Sequence, residues 1–222
     1  MSSAAKPQIV ILLGAPGTGK GTQSAWLSKE LGVPSLSTGE MLRAEAAHNP
    51  ELKRLLAAGS LVSDGLVCQA VAAKLRRELS STGVILDGFP RTVAQAEFLD
   101  ALLDELGLPR PLVVHLLVKE DALLTRLTSR RQCPACSALY NLETRPSRAG
   151  AFCELDGERL VQREDDTEQV IRRRYEDYRQ VVNPLVDFYH RGDYYVINGD
   201  RDPGLVSSEL LEIIAGPSAL AA

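Results

Sequence analysis

The chain has 222 residues with 29 acidic and 25 basic side chains, a formal net charge of −4. That length supports one substantial core, the acidic excess argues against a nucleic-acid partner, and no apolar run approaches the roughly 20 residues that span a bilayer. Met1 to Lys6 lack the apolar region of a signal peptide, so the expectation is a soluble, cytoplasmic protein whose four cysteines form no disulfide framework.

The first predicted element is the apolar run Gln8 to Leu13, of strand length, followed by Gly14-Ala15-Pro16-Gly17-Thr18-Gly19-Lys20-Gly21-Thr22 and then a helical pattern from Gln23 to Leu31. A strand, a glycine-rich loop and a helix N-terminus in that order form an anion cradle. Glycines let consecutive backbone N–H groups converge, and the helix adds about half a positive charge. The spacing from Gly14 to Lys20 fits the phosphate-loop pattern, except that Gly21 follows the lysine and the hydroxyl arrives one residue later, at Thr22. A carboxylate elsewhere must then help hold a phosphate-bound Mg²⁺. A dinucleotide fingerprint is the nearest rival pattern, and it gives the lysine no purpose.

Val33 to Ser37 is a short strand candidate, with Thr38 as N-cap of the next helix and Arg43 one turn further on. Helical patterning runs over 44–58, interrupted at Asn49-Pro50 and ended by Gly59; an amphipathic helix then reaches Leu79, capped by Ser63 or Asp64. Gly83 to Asp87 reads as a strand ending in an acid, Gly88-Phe89-Pro90-Arg91 turn the chain, and Thr92 with Gln95 forms a capping box for a helix to about Leu106. Carboxylates at the C-terminal ends of buried strands lie where open α/β sheets bind ligands, which places Asp87 to hold Mg²⁺ beside the glycine loop.

Pro111 to Val118 is a further buried strand, Asp121 to Arg131 a helix, Tyr194 to Asn198 the last strand and Leu205 to Ala215 a closing helix. Apolar strands alternating with helices define an α/β protein, a parallel sheet with helices on both faces. The rhythm breaks between Arg130 and Asp166. Cys133-Pro-Ala-Cys136 and Cys153-Glu-Leu-Asp156 have the spacing of two metal knuckles, and three thiolates with one carboxylate suit tetrahedral Zn²⁺. An excursion of roughly 35 to 40 residues buries too little apolar surface to hold itself, and a structural metal can replace the missing core. Asp166 or Thr167 caps a long helix to about His190, in which Arg172, Arg173 and Arg174 point in different directions. His48, His115 and His190 lie apart from every motif and read as core or surface residues.

The ordered set GAPGTGKGT, STGEMLR (37–43), LDGFPRT (86–92) with Gln95, Arg130-Arg131, and QREDD (162–166) with the arginines after it resembles the adenylate kinase family in its long form with a zinc-bearing lid. The likeness covers nearly the whole chain. It implies a five-stranded parallel core (about 1–36, 67–128 and 167–222), an AMP-binding arm (about 37–66) and a lid (about 129–166). The implied activity is reversible, Mg²⁺-dependent transfer of the terminal phosphoryl group of ATP to AMP, giving two ADP, by a monomer.

Residue by residue, the resemblance implies that Gly14 to Thr22, with Arg126 and Arg130, bind ATP. Thr38, Arg43, Val62, Val67, Gly88, Arg91, Gln95, Arg163 and Arg174 would bind AMP, with Gln95 reading the adenine. Lys20, Asp87, Arg91, Arg130, Arg163 and Arg174 would surround the transfer, with Asp87 organising the Mg²⁺ shell. Cys133, Cys136, Cys153 and Asp156 would hold Zn²⁺, while Asp165 and Asp166 would help fix a closed lid. The chain departs from the family pattern at Ser129, where glycine is usual, at Ser63-Asp64-Gly65, and over 141–148. Rival readings are a UMP/CMP-type kinase, a P-loop ATPase switch, and a zinc-ribbon nucleic-acid module.

Overall fold

The structure, a computed structural model, describes residues 8–60, 62–79 and 83–215; the N-terminal segment Met1 to Lys6 read above lies outside them. Five strands make one sheet: β1 (Gln8–Leu13), β2 (Ser35–Ser37), β3 (Gly83–Asp87), β4 (Leu112–Leu117) and, last in the chain, β7 (Tyr194–Asn198). Their order is β2-β3-β1-β4-β7 and every pairing is parallel. The α/β class with a five-stranded parallel sheet is therefore as expected. Among the described residues eight helices accompany it: α1 (Lys20–Leu31), α2 (Thr38–Ala46), α3 (Pro50–Ala57), α4 (Asp64–Glu78), α5 (Val93–Glu105), α6 (Glu120–Thr128), α7 (Glu168–Tyr189) and α8 (Pro203–Ala215).

Strand alternation divides the core in two. Ile9, Ile11 and Leu13 of β1 join Val84 and Leu86 on one face, packed against α4 and α5, whereas Val10 and Leu12 join Ile85, Val114 and Ile197 on the other, against α1 and α8. Both faces of the sheet are covered, which is why its strands read as continuous apolar runs. Among the described residues no helix is long and apolar enough to cross a membrane.

Three local readings change. Thr38 is the first residue of α2 and not its cap; Ser37 holds that position, and the Thr38 hydroxyl donates instead to the Gly88 carbonyl at 2.8 Å. The predicted helix through Arg131 stops at Thr128, and β5 (Arg130–Gln132) pairs antiparallel with β6 (Leu139–Asn141). The capping box is displaced: the Thr92 hydroxyl accepts from the Gln95 N–H at 3.2 Å, but the Gln95 side chain accepts from the Arg91 N–H at 2.8 Å rather than from Thr92. At Asn49-Pro50 the break in pattern is a helix start, with Asn49 Oδ1 accepting from the Leu52 N–H at 3.1 Å.

Candidate active site

The sheet brings the C-terminal ends of β1, β2 and β3 together, because Leu12 and Ser37 both pair with Asp87. Beside β1 the chain order reverses, with β3 on one side and β4 on the other, and open α/β sheets take ligands at such a point. The glycine loop crosses it. Gly14 has φ +145°, and a Cβ there would come within 2.7 Å of the Leu116 carbonyl oxygen and of the Thr18 hydroxyl, so only glycine lets the loop lie this close to β4. The Lys20 ammonium folds back over the loop, donating to the carbonyls of Gly14 (2.7 Å) and Ala15 (2.9 Å). Burial lowers its pKa to about 8, against the attraction of Asp87.

Opposite the loop, Gly88 follows β3 with φ +76°, and a Cβ there would sit 3.0 Å from the Thr38 hydroxyl and 3.2 Å from an Arg91 terminal nitrogen. The missing side chain lets Arg91 fold back, its Nε donating to the Gly88 carbonyl at 2.9 Å. Arg43, one turn into α2, lies over Gly39. From the other side come Arg130 at the start of β5, Arg163 and, from α7, Arg174.

The cleft is thus lined by eight lysine and arginine side chains against three carboxylates, Glu40, Asp87 and Asp177. In a chain of net charge −4 that concentration of cations fits a polyanion. Burial, with the mutual repulsion of these groups, lowers the pKa of Arg43, Arg91, Arg163 and Arg174 below the usual guanidinium value, Arg163 to about 9. All four remain protonated at neutral pH. Carboxylates set their directions: Asp166 accepts from Arg130 twice and Asp165 accepts from Arg174 at 2.8 Å, while Arg163 donates to the Gln132 side chain at 2.5 Å. Arg126 donates to the Gly199 carbonyl at 2.9 Å.

Most of the residues expected for nucleotide binding line this one cleft, from Gly14 to Thr22 through Arg43, Asp87, Gly88 and Arg91 to Arg126, Arg130, Arg163 and Arg174. Ala15, Thr18, Thr38, Val62, Val67 and Gln95 stand behind the lining. Val67 is in the core with Val62 packed on it, and Thr18 turns its hydroxyl to the Ala15 carbonyl.

No histidine lines the cleft among the described residues. His115, on β4, lies between two tyrosines, Nδ1 2.7 Å from the Tyr194 hydroxyl and Nε2 2.6 Å from that of Tyr178. Burial and the Lys20 charge push its pKa down to about 4, so it is a neutral core residue. Sequence reasoning missed Tyr178, Asp177 and Arg145, which line the cleft; Tyr178 was findable only from its helical spacing of four from Arg174.

Cys133, Cys136, Cys153 and Asp156 present ligand atoms that all lie within 4.8 Å of one another. Cys133 and Cys153 are buried, the Cys136 N–H donates to Cys133 Sγ and the Leu155 N–H to Cys153 Sγ, both at 3.4 Å. Tetrahedral thiolate zinc with bonds of about 2.3 Å needs ligand atoms about 3.8 Å apart, so this donor set fits Zn²⁺. The surrounding cluster is otherwise small, with Tyr140, Ala138 and Leu160 packed against the two buried cysteines.

A parallel sheet of this order, a glycine loop carrying Lys20 and a cation-lined cleft at its edge define a P-loop protein that handles nucleotide phosphates. Comparison with known proteins narrows the class. Residues 12–194 match the adenylate kinase family model. The chain is 43% identical over 198 residues to an adenylate kinase of Pseudothermotoga lettingae, covering 87% of this chain and 91% of the relative. It is 45% identical over 186 residues to one of Thermodesulfovibrio yellowstonii, covering 82% and 86%. With one of Archaeoglobus fulgidus it shares 40% over 210 residues, covering 92% and 97%. The chain belongs to the adenylate kinase family.

Proposed function

We infer that the protein is a phosphotransferase that moves the terminal phosphoryl group of ATP to AMP and back, forming two ADP. The observation that carries this reading is the pairing of two phosphate-binding faces across one cleft: Lys20 and the loop on one side, Arg43 and Arg91 on the other, with Arg130, Arg163 and Arg174 around the gap. A switch that only hydrolyses a triphosphate has no use for the second face.

The chemistry needs no general base, because the AMP phosphate oxygens are already anionic nucleophiles. What limits transfer is the repulsion between two anions and the charge that spreads over the moving group in line. Lys20 and the loop N–H groups hold the donor phosphates, Arg43 and Arg91 hold the acceptor phosphate, and the remaining three arginines neutralise the transferring group. Guanidinium suits this role because it binds phosphate in a bidentate manner and keeps its proton. Mg²⁺, when bound with ATP, would supply neutralisation of the phosphate charge; Asp87, whose Oδ2 lies 3.4 Å from where a Cβ on Gly21 would be, and Thr22 are the residues that would hold its shell. Behind the lining, Gln95 meets the acceptor base and Thr38 supports it.

Segments 37–66 and 129–166 act as the arm and lid that close on the two nucleotides and exclude water. Their support is contact across the cleft: Lys53 of α3 lies 3.8 Å from Glu164. Cys133, Cys136, Cys153 and Asp156 are the residues that would hold a structural Zn²⁺, which would supply the cross-link that the small core of the lid lacks.

A coupled assay with ATP against AMP, GMP, CMP and UMP tests the reading. AMP is expected to be the preferred acceptor; equal or greater rates with CMP or UMP would move the protein to the pyrimidine monophosphate kinases.

A further inference from the structure

Gln95 is almost fully buried, and both ends of its side-chain amide are engaged. Nε2 donates to Asp64 Oδ1 at 2.7 Å, and Oε1 accepts from the Arg91 backbone N–H at 2.8 Å. Asp64 opens α4, yet its carboxylate serves α5: its other oxygen, Oδ2, accepts from the Thr92 hydroxyl at 2.8 Å. That hydroxyl in turn accepts from the Gln95 N–H, so the carboxylate cannot swing away without breaking bonds on both sides.

An amide carries two hydrogens on nitrogen and two lone pairs on oxygen. Asp64 and Arg91 use one of each and leave one donor and one acceptor. A carboxylate can only accept and a backbone N–H can only donate, so the orientation of the amide is dictated by chemistry. The flipped amide would set Oε1 against the carboxylate and Nε2 against the N–H, two repulsive contacts in a site shielded from water. A free glutamine could turn to suit either kind of purine. A 6-aminopurine offers a donor at its amino group and an acceptor at N1, whereas a 6-oxopurine offers the reverse, an acceptor at O6 and a donor at N1.

We propose that Asp64 is a specificity-determining residue, whose carboxylate locks Gln95 in the orientation that pairs with a 6-aminopurine and rejects a 6-oxopurine. It acts through Gln95 and is a positioning residue; the inference rests on Gln95 being the group that meets the acceptor base.

The test compares AMP with IMP, which differ at the 6-position and in the N1 proton it imposes. kcat/KM for each is measured at saturating ATP in the wild type, Asp64→Asn and Gln95→Leu. Asparagine keeps the shape of Asp64 but can present a donor as well as an acceptor, which removes one of the two constraints. The expected result for Asp64→Asn is a rise of about tenfold or more in the IMP-to-AMP ratio, carried by KM for the monophosphate with KM for ATP unchanged. Asp64→Ser, which keeps a helix-starting residue there, is measured beside it with the melting temperature of each, so that loss of α4 stability cannot stand in for loss of discrimination. If both Asp64 variants keep the wild-type ratio while Gln95→Leu changes it, the lock is refuted and the role of Gln95 stands. If all three keep it, the reading of Gln95 fails as well.

Discussion

Arg130 and Asp166 meet through two hydrogen bonds, Nε to Oδ2 at 2.7 Å and Nη2 to Oδ1 at 2.5 Å, and the carboxylate they share is fully buried. The pair closes the 129–166 excursion at its two ends, tying the first residue of β5 to the residue just ahead of the α7 cap. It also fixes the direction of one cleft arginine, and Arg174 stands 3.8 Å from the same carboxylate. Asp166→Ala leaves a mostly buried guanidinium without its partner. The expected loss is about 3 kcal/mol of unfolding free energy, the range for breaking a buried pair from one side. Denaturant titration reads it directly, and a loss below about 1 kcal/mol, as for an exposed pair, would show that Asp166 does not hold the two ends of the segment together.

Lys20 gives a pH signature. Its pKa is lowered, to about 8, chiefly by burial, so the ammonium is present below that pH and lost above it. kcat/KM for ATP reports the free enzyme and is expected to fall as pH rises through about 8, and Lys20→Arg removes that limb because arginine stays charged. The linkage to stability has the opposite direction: between about 8 and 10.5 the unfolded chain holds the proton that the folded chain has released, so the contribution of Lys20 to stability grows with pH. A flat kcat/KM profile from pH 7 to 10 would contradict the buried position of the ammonium.

The proposed lid, 129–166, is expected to depend on metal. Metal analysis is expected to give one zinc per chain. Cys153→Ser should lose the metal and melt the lid before the core, because the apolar cluster around the cysteines is too small to hold segment 129–166 alone. Hydrogen exchange over the lid measures this; unchanged protection in a metal-free variant would assign the four residues no structural role.

Gly88 lies at the proposed acceptor face, against Thr38 and Arg91. In Gly88→Ala the new Cβ meets the Thr38 hydroxyl and the Arg91 guanidinium at a left-handed φ, with a cost of about 1–3 kcal/mol. KM for AMP is expected to rise by about tenfold, the equivalent of 1.4 kcal/mol, with KM for ATP unchanged. Equal changes in both constants would place Gly88 in the core rather than at the acceptor face.

Much of this was legible in the chain. Gly14 to Lys20 announces a phosphate cradle because few other uses exist for that composition after a buried strand, and Asp87 is found by its place at a strand end. The β5–β6 hairpin was not: Arg130-Arg131-Gln132 continues a helical pattern and its basic residues suit a helix C-terminus, while pairing with Leu139 to Asn141 depends on the turn between Cys133 and Ala138. Thr38 and Asp64 both looked like helix-start residues, and their partners, the Gly88 carbonyl and the Gln95 amide, lie about 30 to 50 positions away. Local propensity cannot show which of several acceptors a short polar side chain will take.

The cleft is proposed to pass a phosphoryl group between two nucleotides and not to water. Counting ADP and inorganic phosphate by phosphorus NMR, in ATP–Mg²⁺ with and without AMP, separates transfer from hydrolysis. Two ADP are expected for each ATP consumed when AMP is present, with phosphate at background in both samples. Phosphate release from ATP alone, at a rate that AMP does not change, would contradict it.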